Sequence, residues 1–186
     1  METVEQAKRN VADFHWLATL LTGCRETATE VTFQALDPAD DANPFFSSWM
    51  HSWSRRNVIA RALAAVREDL ARSARWMEAR PVERCELPPQ SWTLELVTTK
   101  SDLERALLPI DVFPRAAVLL LAFERVPLKD AAVILDSEPD LVRKALAAGA
   151  RELTVNLARM QGWKSSVSGS NTNCEERHVR STEIPS

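Results

Sequence analysis

Between Leu108 and Leu153 the chain reads LPIDVFPRAAVLLLAFERVPLKDAAVILDSEPDLVRKALAAGAREL, three apolar-periodic segments separated by two short breaks. Pro114 stands near the start of the first segment, where a missing N–H is harmless to a helix. Val118, Leu119, Ala122 and Phe123 form its expected inner stripe. Pro127 starts the second segment, in which Ala131 and Ala132 permit close approach by a neighbour and Ile134 and Leu135 are expected to close the core. Ser137, with Asp140 three residues on, is expected to cap the third. Leu141, Val142, Ala145, Leu146, Gly149 and Leu153 would supply the buried side of that third helix, leaving Arg143 and Lys144 outward near its start. A short helix, a tight break and a longer helix with outward cations form the layout of a helix-turn-helix, which sets its second helix in the DNA major groove. A plain three-helix packing unit has the same spacing.

The rest of the chain extends the helical pattern. Val4, Ala7, Val11, Phe14, Leu17, Ala18 and Leu21 recur at three and four, which predicts a helix over 3–21 stopped by Thr22-Gly23. A second helix is expected over 26–36, with Ala28, Val31, Phe33 and Ala35 as its apolar members. DPADDANP (37–44) is a turn or linker. One long helix is then expected over about 45–79, its seam running through Phe46, Trp49, Trp53, Ile59, Leu63, Val66, Leu70, Ala74 and Met77. PVERCELPPQSW holds three prolines and is the best boundary, and TLELVTT after it fits a short strand or linker. Ser101-Asp102-Leu103-Glu104 matches a capping box, so a further helix is expected over 101–108, ahead of the three segments above, which are expected as helices over about 114–124, 128–135 and 139–160. The reading is all-α: a helical domain over 1–80, a proline-rich linker over 81–100, a helix-turn-helix domain over 101–162, and a polar tail over 163–186 expected to be disordered.

Charge is unevenly placed. The chain carries −3 overall, yet residues 44–80 hold seven arginines against Glu68, Asp69 and Glu78. A local excess of arginine can hold phosphate within an acidic protein, and it can equally be a solvated helix face. Cys24, Cys85 and Cys174 are too few and too widely spaced for a disulfide framework, which points to reduced thiols in a cytoplasmic chain. The first residues lack the apolar core of a signal peptide, and no apolar run approaches the roughly 20 residues of a membrane span. Three histidines, four glycines and no HExxH or CxxC spacing leave neither a metal site nor a phosphate loop to read, so no enzyme activity, cofactor or metal is expected.

At this point the chain resembles the sigma-70 family of RNA polymerase sigma factors, in the small extracytoplasmic-function group with region 2 and a region 4 helix-turn-helix. The region 4 likeness rests on Leu108-Pro109, Arg115, Val118 to Leu121, Lys129-Asp130-Ala131-Ala132, Leu135, Leu141-Val142-Arg143, Leu146 and Arg151-Glu152-Leu153. The region 2 likeness rests on Thr22-Gly23-Cys24, Ala28 to Thr32, and the stretch from Phe46 to Ile59. The resemblance implies binding to bacterial RNA polymerase core through the face around Glu30, and to promoter DNA. Lys129, Ser137, Arg143 and Lys144 would serve duplex DNA, and Trp49, Trp53, Arg55, Arg56 and Arg61 would serve the melted strand. One of the two tryptophans is expected to be exposed. An anti-sigma factor is a further partner the resemblance brings with it.

The departures from the family pattern bear on function. Phe33 replaces a glutamine of the polymerase-binding helix, Arg56 an asparagine and Ala60 an aspartate. Ala145, Ala147, Ala148 and Ala150 stand where members often carry arginine or histidine, and residues 113–160 hold seven basic against six acidic side chains. Each lost phosphate contact lowers DNA affinity. The alternative reading is therefore a sigma-like interaction protein that binds polymerase or a regulator without selecting promoters.

Overall fold

Alanine, leucine and arginine rank near the top of helix propensity. In the computed structural model, which describes residues 2–36, 47–79, 87–89 and 99–164, every regular element among those residues is a helix. They are α1 (Glu2–Thr22), α2 (Arg25–Ala35), α3 (Ser47–Ala65), α4 (Arg67–Ala79), α5 (Lys100–Leu107), α6 (Val112–Val118) continued by a π-helical turn over Leu119–Phe123, α7 (Leu128–Ile134) and α8 (Pro139–Met160). The tail beyond Lys164, the turn or linker expected over 37–44 and nearly all of the proline-rich segment expected as a linker lie outside the described residues.

The first three helices pack on one another. Phe14, Leu17, Ala18, Leu20 and Leu21 of α1 meet Ala28, Val31 and Ala35 of α2 and Val58, Ile59, Ala62 and Leu63 of α3 in one buried cluster. Gly23 ends α1 at φ +75°, with its N–H on the Thr19 carbonyl at 2.8 Å. A left-handed residue here satisfies a helix-end carbonyl and turns the chain directly into α2.

Two expected helices change shape. The long one breaks at Val66, although no glycine or proline marks the place. Backbone bonds continue through the break, Val66 N to Ala62 O at 3.3 Å and Leu70 N to Val66 O at 2.9 Å, so it is a bend. The bend has a packing reason: α3 lies against α1 and α2, whereas α4 lies against α6 and α8. The helix expected over 114–124 ends in the π-turn, closed by Glu124 N on Leu119 O at 2.9 Å. The wider turn shifts the phase of the last residues. Ala122 and Phe123 are consequently exposed rather than on the inner stripe.

The C-terminal helices gather around α8. Its contact with α6 depends on Gly149, where a Cβ would stand 2.7 Å from the Pro114 carbonyl oxygen and 2.7 Å from Val118 Cγ2. The two backbones cross at a distance only glycine allows. α5 opens one residue earlier than expected, at Lys100, because Thr99 and Asp102 form the capping box: Asp102 N donates to Thr99 Oγ1 at 3.2 Å and Thr99 N to Asp102 Oδ2 at 3.0 Å.

The helices on either side of residues 80–98 pack together, and one buried cluster runs from Phe14 to Ala148. Ser73 of α4 donates to Asp111 Oδ2 at 2.9 Å and accepts from Phe113 N at 3.3 Å, at the start of α6. Arg25 reaches Glu104 at 2.7 Å, and Lys100 pairs with Asp13 while lying over the Trp16 ring. Gly23 and Arg115, from the two stretches that carry the family likeness, also meet: a Cβ on Gly23 would stand 3.0 Å from Arg115 Nη2. Arg115 is 5% exposed and donates from Nη1 to the Leu108 and Ile110 carbonyls, each at 2.9 Å. Burial lowers its pKa, and Asp111 opposes that shift.

Candidate nucleic-acid interface

α7, a turn over 135–138 and α8 form a helix–turn–helix in the literal sense. Ala131 and Ala132 are buried, and α7 packs on α8 as the small side chains suggest. In the turn Asp136 adopts φ +49°, a conformation its short polar side chain tolerates. Ser137 N donates to Ala132 O at 3.0 Å, which folds the turn back on α7. Leu135 is buried, but Ile134 and Val133 are exposed, so Ile134 does not close the core.

Ser137 is not the cap of α8. The cap position is Glu138, without a side-chain bond, because Pro139 occupies the first helical position with its φ already set for the helix. Asp140, the expected partner of Ser137, instead accepts from Arg143 Nη1 at 2.7 Å. Arg143 is outward as expected, one member of an exposed i,i+3 pair. Its face of α8 continues through Ala147, Ala150 and Arg151, all exposed. Lys129 is exposed in the first turn of α7.

Lys144 does not share the outward face. Neighbouring helix residues point about 100° apart, so Lys144 falls on the side of Leu141 and Ala148, which turns toward the protein. Its Nζ donates to the Met77 carbonyl at 2.7 Å. That carbonyl lies in the last turn of α4, where a cation suits both the free acceptors and the helix dipole.

On α3 the expected cations divide in the same way. Arg55 gives Nε and Nη2 to the two carboxylate oxygens of Glu124, each at 2.6 Å. These hydrogen bonds raise the arginine's pKa. Arg55 is thus tied to the end of the π-turn rather than free at the surface. Arg56 is exposed at the rim of the cleft between α3 and the start of α7, which also holds Arg125 and Asp130 and encloses about 600 Å³. Arg61 is exposed and bonded to Asn57 Oδ1 at 3.3 Å and Gln34 Oε1 at 3.2 Å. Trp53 is 48% exposed; Trp49 belongs to α3, and its side chain is outside the described residues.

Glu30 lies on the exposed side of α2 and accepts from Gln34 Nε2 at 3.1 Å. Phe33 on the same helix is 83% exposed, although periodicity placed it in the seam. It lines a groove of about 740 Å³ between α1 and α2 with Val11, Ala12, His15 and Leu36. The residues that sequence reasoning missed are the acidic and carbonyl partners, Glu124 and Met77. Nothing local marks them, since the pairs are separated by 69 and 67 positions.

Among the described residues no three His, Cys, Asp or Glu side chains are grouped to hold a metal ion, and no helix is long and apolar enough to cross a membrane. No family model, curated protein or solved structure matches the chain.

Proposed function

We propose that the chain is a sigma-like transcription-initiation protein of the cytoplasm that binds RNA polymerase core and promoter DNA. The observation that carries this reading is the α7–turn–α8 unit, whose second helix presents Arg143, paired with Asp140, and Arg151 on a face that between them holds only small residues. Such a face lets a helix approach DNA closely while its arginines reach base edges or phosphates. α3 supports the reading with Trp53, Arg56 and Arg61 at the surface, side chains suited to stacking on bases and holding a strand backbone. Arg55, Lys144 and the neutral-to-weak field of α8 limit what the free chain can bind. The polymerase would take the face of α2 around Glu30 and Phe33, and an anti-sigma factor would compete for the same helices. The chain does no catalysis of its own in this scheme.

The second reading is an interaction protein without promoter selection. The exposed alanines of α8 and the large apolar surface of Phe33 favour it. Retention of core subunits by the full chain, together with anisotropy of labelled duplex DNA, separates the two. Binding to both supports the first reading, polymerase alone the second, and binding to neither overturns both.

A further inference from the structure

The cleft between α3 and the start of α7 has the make-up of a small-molecule site. Its floor is apolar: Ile59 of α3 and Leu120 of the π-turn are buried beneath it, and Ile134 forms a half-exposed wall. Its volume of about 600 Å³ suits a ligand pocket, which combines an apolar lining with a few polar groups. The charged groups here are three arginines and two carboxylates. Arg55 and Glu124 satisfy each other through two bonds of 2.6 Å. Arg56 and Arg125 are exposed and enter no ion pair or side-chain hydrogen bond among the described residues. Of the lining side chains only Asp130 opposes them, so the cleft carries one unmatched positive charge.

Arg125 is held at this cleft against its own backbone preference. It sits at φ +54°, in the left-handed region where a bulky side chain is strained and glycine is not. The turn fixes that conformation, with Glu124 N on Leu119 O and Val126 N on Leu120 O, each at 2.9 Å. Residues kept in such conformations cluster at ligand clamps. We infer that the cleft binds a small amphipathic monoanion. Its ring or short hydrocarbon chain lies on Ile59, Leu120 and Ile134, and its one acidic head, a carboxylate or sulfonate, is met by Arg56 and Arg125. A guanidinium suits both parts of such a molecule, since it pairs with a planar acidic group and stacks on an aromatic face. Glu124, already paired with Arg55, does not repel the head, and Asp130 disfavours a head of higher charge. The site is independent of any DNA-facing role of α8.

The test titrates the full chain with anilinonaphthalene sulfonate, an aromatic monoanion whose fluorescence rises in apolar surroundings. Phenylnaphthylamine, the same body without the charge, is the control. The variant is Arg56→Ala, Arg125→Gly: both positions are exposed, and glycine suits φ +54°, so the fold should persist. The parent should bind the sulfonate more tightly than the amine. The variant should bind the sulfonate about tenfold more weakly, the size that loss of two exposed ion pairs gives, with its affinity for the amine unchanged. A variant that binds the sulfonate as well as the parent overturns the proposal. So does a parent that binds no sulfonate, or binds the amine equally well. Displacement by an equal concentration of inorganic phosphate would make this a plain anion site and overturn the amphipathic class. Should the variant melt well below the parent, Asp130→Asn decides. It should tighten sulfonate binding about threefold by removing the opposing charge; unchanged or weaker binding overturns the proposal.

Discussion

Replacing Gly149 by alanine sets two effects against each other. Within a helix the change should help, by about 1 kcal/mol of propensity. The crossing of α6 and α8 opposes it. The new Cβ would lie 2.7 Å from both Pro114 O and Val118 Cγ2, and 3.1 Å from Pro114 C. Val118 can yield by a small rotation, but the Pro114 carbonyl is main chain, and moving it means moving α6. Overpacking of this kind costs about 1–3 kcal/mol even after relaxation. Because the nearest obstacle is main chain, the upper part of that range applies; less the propensity gain, about 1–2 kcal/mol of net cost remains, and Gly149→Ala should lower Tm by about 2–8 °C at roughly 2–4 °C per kcal/mol for a chain of this size. Thermal melts followed by far-ultraviolet circular dichroism measure this directly. The control is Ala150→Gly on the exposed face, which should lose only its propensity of about 1 kcal/mol. A Gly149→Ala protein melting at or above the parent would refute the close crossing, because propensity would then be the only effect left.

Arg115→Met should destabilise by about 2–3 kcal/mol in urea titrations, because the Leu108 and Ile110 carbonyls lose a charged donor within the core; an unchanged midpoint would show that burying the guanidinium cost as much as it returned. Asp102 is held below the ordinary aspartate value of 3.8, first by the Thr99 hydroxyl and then by its backbone N–H. A lowered folded pKa means that its contribution is present above the unfolded value and is lost as pH falls through the folded one. Amide protection in α5, corrected for the intrinsic pH dependence of exchange, should therefore fall below about pH 4 in the parent and show no such step in Asp102→Asn. Phe33→Gln should leave stability within about 0.5 kcal/mol, since the ring is solvent-exposed, yet reduce retention on polymerase core; equal retention would remove the α2 groove from the polymerase surface.

Periodicity was sufficient to locate most helices, because each buries one stripe whatever it packs against. It placed α1, α2, α7 and α8 within a residue or two. Helix starts were less legible. Thr99-Lys-Ser-Asp and Ser101-Asp-Leu-Glu are overlapping capping boxes, and the earlier one is used where Lys100 is anchored by Asp13 and Trp16, a tertiary contact no local pattern contains. Ser137 loses the capping role to the start set two residues on by Pro139, whose fixed φ suits the first helical position. Phe33, Val11, Trp53, Val133 and Ile134 show a second limit: an apolar residue near a stripe stays exposed when no neighbour covers it. The candidate site was half legible. Arg143, Lys129, Arg56 and Arg61 are surface cations as expected, whereas Arg55 and Lys144 are turned inward by partners from the other half of the chain.

If the chain directs initiation, as proposed, adding it to bacterial core polymerase on fragmented genomic DNA and mapping the 5′ ends of the transcripts should reveal starts at defined positions that core alone does not use and that weaken with Arg143→Ala. Random initiation indistinguishable from core alone, under salt low enough to favour every phosphate contact, would contradict the proposal.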